Sequence, residues 1–276
     1  MIKTIFLILV LIGSVSCVPV RSYVSTRTFI TKTSGSTPPP FRAETLSRTI
    51  RVAIAVRQLS VKILVPAQFE LDGVSALNST TVQKGSEKLL SFNVTIHDLQ
   101  KPEAMMKPAG EGEVEVDGNH YKGTIRLITE NNGCLTVVNE LPLEDYVMGV
   151  LAGEIPGSWP IEALKAQAIA ARTFAVYKQA EAKRKGQPYD LESNASSQMY
   201  IGSRLVNKNI QQAVWGTQGE ILTYKDQPIM AVFHSNCGGE TTGALGVWGH
   251  DQPYLRPVSC LFDSQGPHYR WKEEMS

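Results

Sequence analysis

The chain has 276 residues, of which 42% are hydrophobic and 19% are charged, and its formal net charge at pH 7 is +1. The hydrophobic content is ordinary for a globular protein that buries a core. The near-neutral charge excludes a general electrostatic attraction to nucleic acid, so we expect no nucleic-acid partner.

Residues 1–17 have the pattern of an export signal. Lys3 supplies the positive start, Ile5 to Ile12 form an apolar run, and Ser14-Val15-Ser16 supply small residues at a cleavage site. A bilayer needs about 20 apolar residues, so this run is too short to span one. No later segment comes close, and we expect no transmembrane helix in the mature protein.

Cys17 directly follows the small-residue triplet. This arrangement resembles the processing site of a bacterial lipoprotein, although Ser14 stands where an aliphatic residue is usual. We expect lipidation at Cys17 and attachment to a membrane surface, with plain secretion as the alternative. Residues 18–47 are rich in Ser, Thr and Pro, which predicts an extended tether; an ordinary disordered terminus fits the same composition.

A β-rich region begins at Thr49, where apolar residues alternate with others. Strands are predicted near residues 50–56, 61–65, 69–71, 89–96, 112–116, 123–129 and 135–138. We therefore predict an α+β fold in which residues 48–276 form one unit. Its β-rich part covers residues 48–140, and residues 141–276 add helices and further strands around a glycan-binding cleft.

Two helical patterns follow, at residues 142–153 and 160–185, and a third helix is predicted at 208–217. Strands are predicted at 220–224 and 229–235, and the Gly-rich segment 237–250 is predicted to be a loop. Glu154 lies in the break between the first two helices. A carboxylate there can be rigidly held and still face a groove, although a solvated loop residue is the ordinary alternative.

Several separate motifs around this break resemble those of the SpoIID/LytB family of cell-wall proteins. The matching segments run in the family order from about Arg51 to the C-terminus: Leu143-Glu144-Asp145-Tyr146, Glu154-Ile155-Pro156, residues 163–168, residues 170–173, Gln198-Met199-Tyr200, residues 235–241, Trp248 and Tyr269-Arg270-Trp271. The resemblance implies a lytic transglycosylase that cleaves peptidoglycan glycan strands between N-acetylmuramic acid and N-acetylglucosamine and leaves a 1,6-anhydro end.

The resemblance places the catalytic carboxylate of the family on Glu154. A glycosidic oxygen leaves readily only when it is protonated, which near neutral pH requires an acid of raised pKa. Ile155, Pro156 and Trp159 lie close in sequence and can supply the apolar wall. Asp145, Glu162 and Glu240 are possible second acids, but their spacing singles out none of them.

Substrate-binding roles are the second implication of the resemblance. The residues concerned are Lys165, Arg172, Gln198, Tyr200, Ser235, Gly238, Gly239 and Thr241. Each also has a structural alternative: a charge on a helix surface for the first two, a half-buried strand for the next two and a tight turn for the last four.

The cysteines and histidines leave two questions open. Cys134, Cys237 and Cys260 are an odd number, and Cys237 with Cys260 is a possible disulfide pair that spacing alone does not establish. Some relatives hold zinc with His and Cys before the Gln-x-Tyr element, where this chain has Ser196 and Ser197. We therefore expect no bound metal and no cofactor, with His234, Cys237, His250 and Cys260 as the remaining candidates.

Two further functions compete with glycan cleavage. The first is a non-catalytic peptidoglycan-binding module that enhances a cell-wall amidase, because the LytB side of the family is linked to amidase enhancement. The second is a structural lipoprotein with a degenerate cleft.

Overall fold

The computed structural model describes residues 49–74, 79–84 and 87–266. The strands before the first long helix are β1 (Thr49–Gln58), β2 (Ser60–Pro66), β3 (Phe69–Asp72), β4 (Thr80–Lys84), β5 (Glu87–Thr95), β6 (Glu103–Pro108), β7 (Glu113–Val116), β8 (Asn119–Lys122), β9 (Thr124–Thr129) and β10 (Leu135–Pro142). The later elements are α1 (Leu143–Glu154), α2 (Ile161–Arg184), β11 (Leu191–Glu192), α3 (Lys208–Trp215), β12 (Thr223–Tyr224), β13 (Gln227–Pro228) and α4 (Ala244–Trp248). The predicted α+β class is confirmed.

The strands of the described residues form two larger sheets. One has the order β11-β1-β10-β9-β6-β3, and the other has the order β4-β5-β2-β7-β8. Neighbours in both sheets are antiparallel except for β1 and β11, where Val52 lies opposite Leu191 in a parallel pair. Strand β10 lies between β1 and β9, and five consecutive residues from Leu135 are buried. This central position explains why consecutive residues of β10 are buried, including the polar Thr136 and Asn139, instead of every second one.

The two long helices lie where the sequence predicts them, within one residue at each end. Helix α1 carries Glu144 and Asp145 in its first turn, where the positive end of the helix dipole stabilises their carboxylates. Helix α2 ends with Lys183 and Arg184, and Gly186 follows with φ 63°. Buried side chains of both helices join the strands in one hydrophobic core.

The segment after α3 differs from the prediction in three places. The strand expected at 220–224 is limited to β12, which pairs only with β13. Residues 229–235 are not a strand, because the N–H groups of Ala231 and Val232 donate to carbonyls two residues earlier instead of to a neighbouring strand. The predicted loop 237–250 contains the short helix α4.

Some predictions fall outside the described residues. The signal peptide, the lipidation site Cys17, the tether at 18–47 and the Tyr269-Arg270-Trp271 element lie there. Among the described helices, none is long and apolar enough to cross a bilayer.

Candidate active site

Glu154 is the last residue of α1, at the joint between the two long helices. Ile155 follows in an extended conformation (φ −140°, ψ 151°), and its N–H donates to the Leu151 carbonyl at 3.1 Å. Pro156 disfavours helical geometry at the preceding residue, which explains why the helix stops there. The Trp159 N–H then donates to the Pro156 carbonyl at 3.0 Å. The carboxylate is therefore carried by the end of a packed helix and not by a long loop.

The Glu154 side chain is half-buried and accepts one backbone hydrogen bond. Its Oε1 atom accepts from the Met199 N–H at 2.8 Å. Burial raises the pKa of the Glu154 carboxyl, and the Met199 hydrogen bond, which favours the ionised form, offsets this only in part. The net direction is the one that an acid catalyst working near neutral pH requires.

The segment that donates this hydrogen bond is fixed by buried side chains. Tyr146 of α1 donates its hydroxyl to Gln198 Oε1 at 2.8 Å, and Gln198 Nε2 donates to the Ala171 carbonyl of α2 at 3.3 Å. Gln198 thus bridges both helices next to Met199. This bridge positions the N–H that contacts Glu154.

Tyr200 fixes the other side of the same segment. Its hydroxyl donates to Asn139 Oδ1 at 2.7 Å, and its ring lies against those of Tyr121 and Tyr146, with centroid distances of 5.7 and 5.1 Å. Gly149 of α1 permits this contact, because a Cβ atom there would lie 2.4 Å from Tyr200 Cε2. The small residue in the helix lets the segment approach its backbone.

Burial changes the roles expected for Gln198 and Tyr200. Their exposed fractions are 1% and 3%, and their polar atoms are used inside the protein. Direct contact with a sugar does not fit this burial. Both residues support the segment that holds Glu154, and they lie in an irregular segment instead of a half-buried strand.

Arg172 is also an internal residue, which fits neither a direct contact with substrate nor its alternative as a charge on the helix surface. Its guanidinium is fully buried and pairs with Glu144 of α1, with Nη2 to Oε2 at 2.6 Å. Further bonds run to the carbonyls of Val214 at 3.2 Å and Glu220 at 3.1 Å. A buried guanidinium with these partners links α2 to α1 and to the end of α3 and has no surface for a saccharide.

Lys165 lies on the surface of α2. Its Nζ donates to Glu162 Oε1 at 2.8 Å, an i,i+3 pair whose Glu side chain is largely exposed. This contact agrees with the surface alternative, and a role of Lys165 in binding glycan stays a prediction.

The loop from Ser235 to Thr241 packs against residues 258–263. Ser235 is exposed, but the N–H groups of Gly238 and Gly239 donate to Asp263 Oδ2 at 2.6 and 3.2 Å. The Thr241 hydroxyl accepts from the Val258 N–H at 2.8 Å. The two glycine N–H groups and the Thr241 hydroxyl therefore have partners inside the protein. The positive φ angles of the two glycines, 72° and 103°, build a turn.

Two cavities lie near the residues described above. A pocket of about 650 Å³ lies in the C-terminal region between residues 240 and 257. Another, of about 180 Å³, is lined by Asp145 and Met148 from the first half of α1 and by Tyr200 from the segment that contacts Glu154. Glu154 lines neither pocket. A glycan-binding cleft around Glu154 therefore stays a prediction.

Metal ligation has no assembled candidate in the described ranges. Within them, no group of three or more His, Cys, Asp or Glu side chains is arranged to hold a metal ion. Independence from metal stays a prediction that elemental analysis of the purified protein can test.

Comparison with known families places these residues in context. The family described as SpoIID, Stage II sporulation protein, matches residues 131–224, a range that includes Glu154 and its partner Met199. This match and the relatives named stage II sporulation protein D and amidase enhancer support the SpoIID/LytB family. They also support a role related to the cell wall.

Similar proteins come from several bacteria. An uncharacterized protein of Brachyspira hyodysenteriae is 38% identical over 191 residues, which cover 69% of this chain and 50% of the relative. The stage II sporulation protein D of Bacillus amyloliquefaciens is 41% identical over 145 residues, 48% of this chain and 42% of the relative. The amidase enhancer of Bacillus subtilis is 34% identical over 164 residues, 59% of this chain and 22% of the relative. The chain thus spans half or less of the length of these relatives.

Two contributors to the site were not predicted from the sequence. Tyr146 belongs to a quoted motif, but no spacing rule shows that its hydroxyl reaches Gln198, 52 residues away. The Met199 contact uses a backbone N–H, which leaves no signature in residue type. Only the adjacency of Gln198, Met199 and Tyr200 in one motif pointed to this segment.

Proposed function

We propose that this protein is a peptidoglycan lytic transglycosylase in which Glu154 acts first as the general acid and then as the general base. The observation that supports this most strongly is the environment of Glu154. A half-buried carboxyl with a raised pKa is held at a helix end by one N–H donor. The family match over the same residues supports the choice of substrate class.

In the first step, neutral Glu154 donates its proton to the glycosidic oxygen between N-acetylmuramic acid and N-acetylglucosamine. The bond from that oxygen to the anomeric carbon breaks, and the electron pair stays on the leaving oxygen. A raised pKa keeps a larger fraction of the carboxyl protonated at neutral pH, which favours this step.

In the second step, the ionised carboxylate accepts the proton of the 6-hydroxyl of the muramic acid residue. That oxygen attacks the anomeric carbon and closes the 1,6-anhydro ring. The Met199 N–H donates to the same carboxylate, so it stabilises the ionised form that this step needs. One residue serves both steps, and no water molecule is consumed.

A second candidate function is enhancement of a cell-wall amidase without glycan cleavage. It is favoured by the relative named amidase enhancer, whose match covers a larger share of this chain than that of the sporulation proteins. The burial of Arg172, Gln198 and Tyr200 also leaves fewer side chains for direct contact with a glycan.

Digestion of purified glycan strands, followed by mass spectrometry of the products, distinguishes the two functions. Wild-type protein is expected to release fragments with anhydro ends, and Glu154→Gln is expected to lose this activity by about 10²–10⁴-fold. Glu70→Gln is the matched control, because Glu70 is an exposed residue of β3. Intact glycan in every reaction, together with faster amidase digestion in the presence of either folded protein, would instead establish the enhancer.

A further inference from the structure

Cys237 lies on one of two neighbouring segments that run antiparallel near the C-terminal end of the described residues, and Cys260 lies on the other. The Thr241 N–H donates to the Val258 carbonyl at 2.9 Å, and the Cys260 N–H donates to the Gly239 carbonyl at 2.8 Å. Cys260 therefore lies opposite Gly239, which is two residues from Cys237 along the chain. This is the separation at which side chains of adjacent strands meet diagonally.

The two thiols lie in the same neighbourhood. Both cysteines are half-buried free thiols, and the Cys260 side chain is among the groups that raise the pKa of the Cys237 thiol. A disulfide requires Cβ atoms about 3.5–4.5 Å apart on backbones that are already close. Because the backbones are joined by hydrogen bonds, we expect that small side-chain rotations suffice to join the sulfurs.

Asp263 holds the Cys237 turn from the other side. Its Oδ2 atom accepts from the Cys237 N–H at 3.0 Å and from the Cys237 thiol at 3.2 Å, in addition to the two glycine N–H groups of the turn. Burial raises the pKa of the Cys237 thiol to about 11, and the Asp263 carboxylate adds to this. The group is therefore a protonated donor when reduced. Loss of its hydrogen on oxidation leaves the three backbone N–H bonds to Asp263 in place.

We propose that Cys237 and Cys260 form an intramolecular disulfide in the mature protein. The oxidant is the disulfide of a thiol–disulfide oxidoreductase of the cell envelope. One cysteine thiolate attacks that disulfide and displaces one of its sulfurs, and the second thiolate attacks the resulting mixed disulfide. The protein gains one S–S bond, the oxidant leaves as a dithiol, and the two protons pass from the cysteines to the oxidant.

The disulfide covalently closes the base of the Ser235–Thr241 turn. It links this family motif to residues 258–263 and closes a loop that includes α4 and lines the 650 Å³ pocket. The inference rests on the export predicted from residues 1–17, not on glycan cleavage. Thiol mapping without glycan therefore separates its failure from that of the proposed activity.

Cys134 supplies an internal control for this test. It lies in the turn between β9 and β10, where its N–H donates to Asn132 Oδ1 at 3.0 Å. It is a free thiol on a different turn from Cys237 and Cys260. We expect it to stay reduced when the other two are oxidised.

Peptide mapping of the full chain after equilibration in buffers of increasing disulfide-to-thiol ratio tests the proposal. The protein is denatured, alkylated and digested with trypsin and with a protease that cleaves after Glu, because Glu240 lies between the two cysteines. We expect Cys237 and Cys260 to lose alkylation together and to appear as one cross-linked peptide pair, two hydrogens lighter than the reduced peptides. Cys134 is expected to remain alkylated.

Two serine variants complete the design. Cys237→Ser is expected to leave Cys260 alkylated in oxidising buffer, and Cys260→Ser is expected to leave Cys237 alkylated. The proposal would be overturned by full alkylation of both cysteines in folded wild-type protein under oxidising conditions. A bridge from either of them to Cys134, or to a second copy of the chain, would overturn it equally.

Discussion

Glu154 lies in an environment that acts on its carboxyl in opposite directions. Burial disfavours the charged form, whereas the Met199 N–H favours it. A group that must lose a proton in one step and regain one in the next benefits from both, because neither protonation state is strongly trapped. The nearby Tyr146 hydroxyl has a pKa well above its ordinary value, first through burial and then through the Glu154 charge, so it remains a neutral donor.

The raised pKa of Glu154 predicts a pH-dependent stability difference between wild type and Glu154→Gln. The pKa of Glu154 in the folded state lies above its unfolded value near 4.5, so the protonated carboxyl stabilises the folded state. Wild type loses this stabilisation as pH rises through the folded-state pKa. The variant does not titrate there. Its melting temperature relative to wild type is therefore expected to be constant below pH 4.5 and to increase above it.

Glu181→Gln is a control of opposite sign for this measurement. Hydrogen bonding to Lys185 is the main cause that lowers the pKa of Glu181, so its ionised form stabilises the folded state as pH rises. Removal of this carboxylate is expected to make the variant relatively less stable at higher pH. Parallel pH profiles for the two variants would contradict the assignment for Glu154.

At the scale of elements, the buried pair between Glu144 and Arg172 joins α1 to α2 and to the end of α3. Replacement of Arg172 by Met leaves the Glu144 carboxylate without its main partner. The expected loss in the free energy of unfolding is about 3–5 kcal/mol, measured by urea denaturation. The double variant with Glu144→Gln is expected to recover part of this loss. A single variant within 1 kcal/mol of wild type would show that the pair does not stabilise the helix junction.

Two tyrosine variants separate positioning of Glu154 from general support of its neighbouring segment. Tyr146→Phe removes the donor to Gln198, and Tyr200→Phe removes the donor to Asn139. Each leaves a buried acceptor with one partner fewer, at a cost of about 1–3 kcal/mol. Only Tyr146→Phe is expected to shift the pH profile of glycan cleavage, because only Tyr146 contacts Gln198 directly and lies close to the carboxylate. Equal shifts in both variants would contradict a specific role for Tyr146.

The sequence predicts elements well where one physical signal dominates. The helices α1 and α2 have apolar residues at helical spacing, acidic first turns and a clear break between them, and their bounds were correct within one residue. Strands β4, β6 and β8 were missed, as were the two-residue strands β11 and β13. Strand β4 is largely exposed, β6 buries Ala104 and Met106, which are weak strand formers, and β8 has a single fully buried apolar residue, Tyr121.

The site was predictable only in part, for a related reason. Residue type and motif order led to Glu154. They did not reveal that Arg172, Gln198 and Tyr200 are buried, because a motif is equally informative for a ligand contact and for the support behind it. Burial depends on which elements pack over a residue, and this is set by contacts distant in sequence.

At the scale of the whole molecule, the remaining question is where the protein works. The export signal and Cys17 lie outside the described residues, and attachment to a membrane stays a prediction. Cell fractionation is expected to recover wild type with membranes and Cys17→Ala in the soluble envelope fraction. A mild wash is needed, because a single acyl chain binds only marginally. Equal solubility of the two proteins would contradict lipid anchoring.

Digestion of glycan strands in ¹⁸O-labelled water tests the account of the whole reaction most directly. If the 6-hydroxyl is the nucleophile and Glu154 serves both steps, wild type is expected to produce anhydro ends that carry no ¹⁸O. The Glu154→Gln variant is expected to produce no detectable anhydro ends. Reducing muramic acid ends labelled with ¹⁸O would show that water attacks the anomeric carbon. That result, or undiminished anhydro product from Glu154→Gln, would contradict the proposed mechanism.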